Sequence, residues 1–248
     1  VFEPIAQIVS RTDVDDQTNV PNDDALSLVY DDTLLFDTDK FSGYDRIEGG
    51  TRANVGVRYT MQHNNGGYLR AVLGQSYQVA GSNEFAADSG LATTRSDYVT
   101  GLYYQPMHYL SFVAQARFDE DDVNLQRIDL AGNANYGAFS SSVIYANLQA
   151  QPGLGIPTDR QEIQANGSIA LTEHWSLLGQ IRYDLELEER VTDSISIKYH
   201  DDCFALSVSY NETFIRDRDI EPDEQVLLRF ELKHLGAFDV DASSVGGG

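Results

Sequence analysis

The chain has no uninterrupted apolar run of 18 residues. No segment therefore reads as a membrane-spanning helix, which takes about 20 apolar residues in succession. A membrane strand stays open, because about 9–11 residues suffice and only alternate ones face lipid. Cations are scarce: 17 Lys+Arg stand against 39 Asp+Glu, a net charge of −22. No nucleic-acid partner is expected, since phosphate binding takes a basic face. Cysteine is limited to Cys203, so no disulfide forms within these 248 residues. The thiol is either free or half of a bridge to something outside them. No initiator Met and no signal peptide are visible, so the sequence reads as a processed product or a fragment.

Helical periodicity is nearly absent, and two-residue alternation runs from end to end. Leu177, Gly179, Ile181, Tyr183, Leu185 and Leu187 alternate with Leu178, Gln180, Arg182, Asp184 and Glu186. Val226, Leu228, Phe230 and Leu232 alternate with Leu227, Arg229, Glu231 and Lys233. Arg52, Asn54 and Arg58 alternate with Val55, Val57 and Tyr59. About twelve strands are expected, over 3–10, 46–62, 67–80, 96–105, 110–119, 124–136, 139–150, 161–171, 175–188, 193–200, 203–214 and 224–234. Several exceed the usual soluble strand of about 5–6 residues. The fold class is all-β, an antiparallel up-and-down transmembrane barrel. Residues 1–238 are assigned to the barrel, and 239–248, small and acidic, to a disordered tail.

Connections sort by parity. Short turns, such as His63–Gly67 and Thr172–His174, follow even-numbered strands, while the longest connections, 11–45, 81–95, 151–160 and 215–223, follow odd-numbered ones. An outer-membrane barrel has this pattern, with short turns on one rim and long loops on the other. Fourteen tyrosines, many near strand ends, suit an interfacial girdle or buried cross-strand pairs.

Candidate chemical sites are few. His63, His108, His174, His200 and His234 lack metal-ligand spacing and fall on the short-turn rim. Asp37, Asp39 and Glu48 faintly resemble a calcium loop, but Phe41 and Ser42 occupy its fifth and sixth places, where a ligand and glycine belong. No metal site is assigned. The acidic connections are either a solvated surface or weak contacts for divalent cations. No nucleophile elbow or phosphate loop is present, so no catalytic residue and no cofactor is assigned. Cys203, after His200-Asp201-Asp202, is either a half-buried small residue or the donor of a disulfide to a periplasmic segment before Val1.

Several stretches resemble a known family. Glu3-Pro4-Ile5-Ala6-Gln7 and Val20-Pro21-Asn22-Asp23-Asp24 come first. Leu34-Leu35-Phe36 follows, then Phe41-Ser42-Gly43-Tyr44-Asp45-Arg46-Ile47-Glu48-Gly49-Gly50, with Lys40 in place of a leading Arg. Tyr199 to Cys203 and the closing Phe230-Glu231-Leu232-Lys233-His234-Leu235-Gly236 complete the set. These are similar to the lipopolysaccharide-assembly outer-membrane proteins (LptD, also called OstA or organic-solvent-tolerance protein), densest in 3–50 and 199–236. The resemblance implies the second half of a barrel of about 26 strands. It implies lipopolysaccharide as cargo, periplasmic bridge components and an LptE-like lipoprotein plug as partners, and no enzymatic activity. The last strand, with Val226, Leu228, Phe230 and Leu232, would form one lip of a lateral gate. Cys203 would bridge to the periplasmic domain, although Asp202 stands where many members have a second cysteine. The alternatives are an autonomous pore or adhesin barrel, and a soluble β protein that binds a ligand.

Overall fold

The computed structural model describes residues 1–13, 17, 28–41, 43, 45–64, 66–215, 222–232 and 236–241, the last stretch by its backbone. Its strands are β1 (Phe2–Ser10), β2 (Thr51–Gln62), β3 (Tyr68–Ala80), β4 (Tyr98–Met107), β5 (Leu110–Phe118), β6 (Leu125–Tyr136) and β7 (Phe139–Leu148). β8 (Arg160–Ala170), β9 (Trp175–Asp184), β10 (Glu189–His200), β11 (Phe204–Thr213), β12 (Asp223–Leu232) and β13 (Gly236–Asp241) follow. Each strand neighbours the next in sequence order, so the sheet is a simple up-and-down meander. No α-helix occurs among the described residues.

All twelve expected strands are present, and their boundaries show what alternation alone misses. β2 begins at Thr51 rather than residue 46, because Gly50 turns at φ +76° and the Gln17 amide holds both Ile47 backbone groups at 2.8 and 2.9 Å. β9 ends at Asp184 although Leu185 and Leu187 prolong the apolar alternation. The Asp184 carboxylate accepts the N–H groups of Glu186 and Leu187, both at 2.9 Å, which reverses the chain and lets β10 start at Glu189. β4 runs through Pro106, where the ladder to β5 is irregular between Tyr104 and Met107 and a missing N–H costs no regular bond.

A thirteenth strand, β13, pairs with β12 from Leu227↔Asp241 to Leu232↔Gly236. It is short, with Phe238 and Val240 alternating with Asp239 and Asp241, and its last three residues fall within the stretch 239–248 expected to be a tail. Residues 242–248 lie outside the described residues.

The parity of the connections holds except after β9, whose link 185–188 is as short as the even-strand turn 171–174. Residues 63–67, 108–109, 137–138, 171–174 and 201–203 are the turns after even strands, and 11–50, 81–97, 119–124 and 149–159 are connections after odd ones.

The chain forms two compact units, Val1–Leu130 with Ala146–Arg160, and Ala131–Tyr145 with Gln161–Gly248. The first is inverted relative to a water-soluble sheet. On one face Val55, Leu73, Leu102 and Phe112 are 40, 48, 43 and 44% exposed. On the other, Asn54 and Ser76 are fully buried, and Arg52 and Arg117 are 3 and 5% exposed. Open apolar surface costs about 25 cal/mol per Å² in water, so this face is built for a non-aqueous neighbour. The buried face is covered by the chain's own connections. Tyr30, Leu35, Phe85 and Leu91 form a small core there with Val99 of β4.

In the second unit Ile169, Leu177, Ile181, Ile195, Val208, Val226 and Leu228 share the open apolar face, each 36–53% exposed. Ser168, Gln180, Ser194 and Ser196 point the other way and line a polar trough. At the short-turn end of the apolar face, Trp175, Tyr199, Phe204 and Phe230 touch in succession, with ring centres 5.1, 5.3 and 5.6 Å apart. Aromatic rings at strand ends suit an interfacial girdle, and Tyr199 with Trp175 is also a direct cross-strand pair.

Candidate functional site: the polar face and its inward-folded segment

Residues 28–41, 43 and 45–50 lie on the polar face of the first unit, and glycines make room for them. Gly56 and Gly74 pair across β2 and β3, and Gly101 is on β4. A Cβ at Gly74 would strike Leu35 Cδ2, one at Gly101 would strike the Asp32 carboxylate, and one at Gly56 would lie 3.1 Å from Phe36. A polar relay crosses the strands beside them. The Asn54 amide donates to Gln7 at 2.7 Å, Ser76 donates to Asn54 at 2.5 Å, and Gln7 donates to the Phe36 carbonyl at 2.9 Å. Asp32 accepts from Tyr103 at 2.9 Å and Gln115 at 2.8 Å. Gln7, Asp32, Asn54 and Ser76 thus find partners as the segment docks.

The signature residues occupy the upper part of this contact. Glu48 forms ion pairs with Lys40 at 3.8 Å and with Arg52, and all three are nearly inaccessible. It also accepts the Lys40 N–H at 3.2 Å. Burial pulls the Lys40 ammonium below its ordinary pKa, while Glu48 opposes that fall. Phe41 stacks on Phe85 at 4.6 Å, and the Arg52 guanidinium lies 5.1 Å over the same ring. Gly50 adopts φ +76°, and a Cβ there would also strike the Ala80 carbonyl. Asp45 and Arg46 lie in the same stretch, where Arg46 donates to the Asp45 carbonyl at 3.1 Å. Gly43 and Gly49 are described, whereas Ser42 and Tyr44 lie outside the described residues, as do Val20 to Asp24. The structure therefore gathers Lys40, Phe41, Glu48 and Gly50 at one docking point.

A carboxylate cluster sits above β4 and β5. Asp97, Asp119 and Glu120 bring one oxygen each within 4.8 Å of one another. Asp97 is 5% exposed, and burial with the Glu120 contact pushes it up to about 7, against the pull of Arg117 at 3.4 Å. Asp119 is held below the usual range by the N–H groups of Asp121 and Asp122. Such oxygens are the donor type that hard divalent cations take. The acidic run 119–122 is visible in sequence, but the arrival of Asp97 from another connection is not.

In the second unit, Cys203 is an exposed free thiol in the turn 201–203. The Asp201 carboxylate accepts the N–H groups of Cys203 and Phe204 at 2.7 and 2.9 Å, which fixes the turn and holds Asp201 below the usual range. Val226 and Leu228 are exposed on β12, and Phe230 and Leu232 are half-buried. β12 is not a terminal strand: it lies between β11 and β13. His63, His108, His174 and His200 are at or beside short turns, and His234 lies outside the described residues.

Comparison of the sequence with known proteins matches it to LPS-assembly proteins. The chain is 24% identical over 228 residues to the LPS-assembly protein LptD of Hahella chejuensis, covering 89% of this chain and 28% of that protein. It is 24% identical over 218 residues to the LPS-assembly protein LptD of Coxiella burnetii, covering 80% and 25%. For the LPS-assembly protein LptD of Haemophilus influenzae the identity is 24% over 273 residues, covering 96% and 34%. The chain thus spans a quarter to a third of the length of these curated relatives. The family model for LPS transport system D (LptD) matches residues 1–155, more than half of the sequence and the whole of the docked segment, so the chain belongs to the LptD family.

Proposed function

We propose that this chain is barrel wall of a lipopolysaccharide-assembly translocon in the bacterial outer membrane. One observation carries the reading: a sequential antiparallel meander with open apolar and covered polar faces, in a chain of the LptD family. Hydrocarbon supplies no hydrogen-bond partner, so strands that cross it must satisfy their backbone on one another. The apolar faces then meet lipid, and the polar faces line an aqueous lumen through which a hydrophilic glycan passes. The relatives are LPS-assembly proteins by name, and lipopolysaccharide is the cargo inferred here.

Finer features follow from the same reading. β12, with Val226, Leu228, Phe230 and Leu232, would supply one lip of a lateral gate between the first and last strands of the barrel, together with β13, which pairs with it at six positions. Cys203, an exposed thiol on the short-turn rim, would join a periplasmic segment of the protein by a disulfide. The polar trough beside Ser168 and Ser194 would face an LptE-like plug, and periplasmic bridge components would deliver the lipid. No catalytic step is assigned.

Depletion in living cells tests the function. Newly made lipopolysaccharide, pulse-labelled, should stop reaching the cell surface when the protein is withdrawn, and the protein should fractionate with the outer membrane. Normal surface delivery after depletion would end the proposal.

A further inference from the structure

We infer that Arg58 and Arg70 bind a phosphate group on the sugar portion of the transported glycolipid; this rests on the transport reading above. Both lie on the polar face of the first unit, between the docked segment and the short-turn end. In the β2–β3 ladder Arg58 pairs with Val72 and Thr60 with Arg70, so the arginines are diagonal neighbours on one face. Diagonal neighbours are about 7–8 Å apart, and their Cβ atoms are somewhat closer. At that spacing two guanidiniums can close on one tetrahedral anion, each offering a two-pronged edge.

Their lack of an ion-pair partner among the described residues is the anomaly that points to a ligand. Further along the same face, Arg52 is held by Glu48 and Arg117 by Asp97. Carboxylates outnumber cations in the chain 39 to 17. Yet neither Arg58 nor Arg70 has an ion-pair partner among the described residues; the Nε of each is buried without a hydrogen bond, as it is in Arg52 and Arg117, but no carboxylate stands within ion-pair reach of it. Glu3 faces Arg58 across β1 in register but makes no ion pair with it. Arg70 is nonetheless held in place: its guanidinium lies 4.5 Å over the Tyr103 ring, whose hydroxyl donates to Asp32. Stacking orients the group and leaves its N–H donors for an anion. Gln62, Tyr68 and Gln105 pair across β2, β3 and β4 on the same face and add amide and hydroxyl groups suited to sugar. Sequence alternation places Arg58 on the polar face, but only the ladder shows Arg70 beside it.

The test titrates the purified protein in detergent with lipopolysaccharide, and separately with the same lipopolysaccharide stripped of phosphate. Wild type should prefer the phosphorylated form by about tenfold per arginine, and millimolar inorganic phosphate should abolish the preference. The R58A/R70A variant should lose the preference and keep its affinity for the stripped form, while R190A should behave as wild type. Should the double alanine variant fail to fold, R58K/R70K keeps the charge without the fork and should fall between. The wild-type comparison of the two lipid forms stands without any variant. Equal binding of both forms by wild type overturns the inference, as does a preference that survives in R58A/R70A. Competition by inorganic phosphate without any preference between lipids would mark a small-anion site and also overturn it. Failure of wild type to bind either form would instead count against the transport reading.

Discussion

Gly74 has Leu35 where its side chain would be, with the Val55 carbonyl 2.5 Å from the same point. Gly74→Val therefore overpacks the contact between the sheet and the inward-folded segment, at about 1–3 kcal/mol. The folded band on semi-native gels should disappear at a lower temperature, and an unchanged melting point would contradict the docking. Glu48→Gln removes the one carboxylate that serves both Lys40 and Arg52. Stranding two buried cations costs about 3–5 kcal/mol. Limited proteolysis should then cut within 28–50, which resists cleavage in the parent. Asp97 introduces pH dependence. Its folded pKa, about 7, lies above the ordinary value near 3.9. The stability it contributes is full below about pH 4 and is lost as pH rises through about 7. In chelated buffer, the Asp97 amide, bonded to the Gly90 carbonyl at 2.8 Å, should exchange faster at pH 8 than at pH 5 after correction for the intrinsic rate. Asp97→Asn should flatten that difference, and a profile that persists in the variant would assign it elsewhere.

At the scale of the strand, each position has a sign. Ile195 pairs with Gly179 and Tyr210 on the apolar face, and Ser196 with Leu178 and Ser209 on the polar one. Arginine at residue 195 should cost about 2–4 kcal/mol of folding free energy in lipid vesicles, and arginine at residue 196 little. Equal costs would mean that both faces meet the same medium. Alternation made these faces readable before any coordinates, because a two-residue period is a property of the chain alone. Strand ends were less readable. Leu185 and Leu187 continue the apolar period past β9, and the Asp184 carboxylate that stops it acts through backbone groups that no period reveals. β13 escaped for a different cause: Phe238 and Val240 alternate with Asp239 and Asp241 over only six residues, too short a run to read alone, and pairing with β12 supplies what it lacks.

For the whole molecule, the order of strands and the parity of connections were visible in sequence, because turn chemistry and run length are local. What covers the polar face was not. Phe41, Glu48 and Gly50 stood out by resemblance, but their partners Phe85, Arg52 and the Ala80 carbonyl come from other elements. Parity predicts orientation as well. Gly66 in a short turn and Gly155 in a long connection both have open space around a would-be Cβ. An epitope inserted at Gly155 should be stained on intact cells, and one at Gly66 only after the outer membrane is breached. Staining of both on intact cells would refute the orientation. The paired ladders also restrict how such a gene can vary. Gain or loss of a single codon inside a strand turns every following side chain inside out as far as the next bend, whereas two codons restore the phase. Viable length changes should therefore gather in the connections, and those within strands should come in even steps.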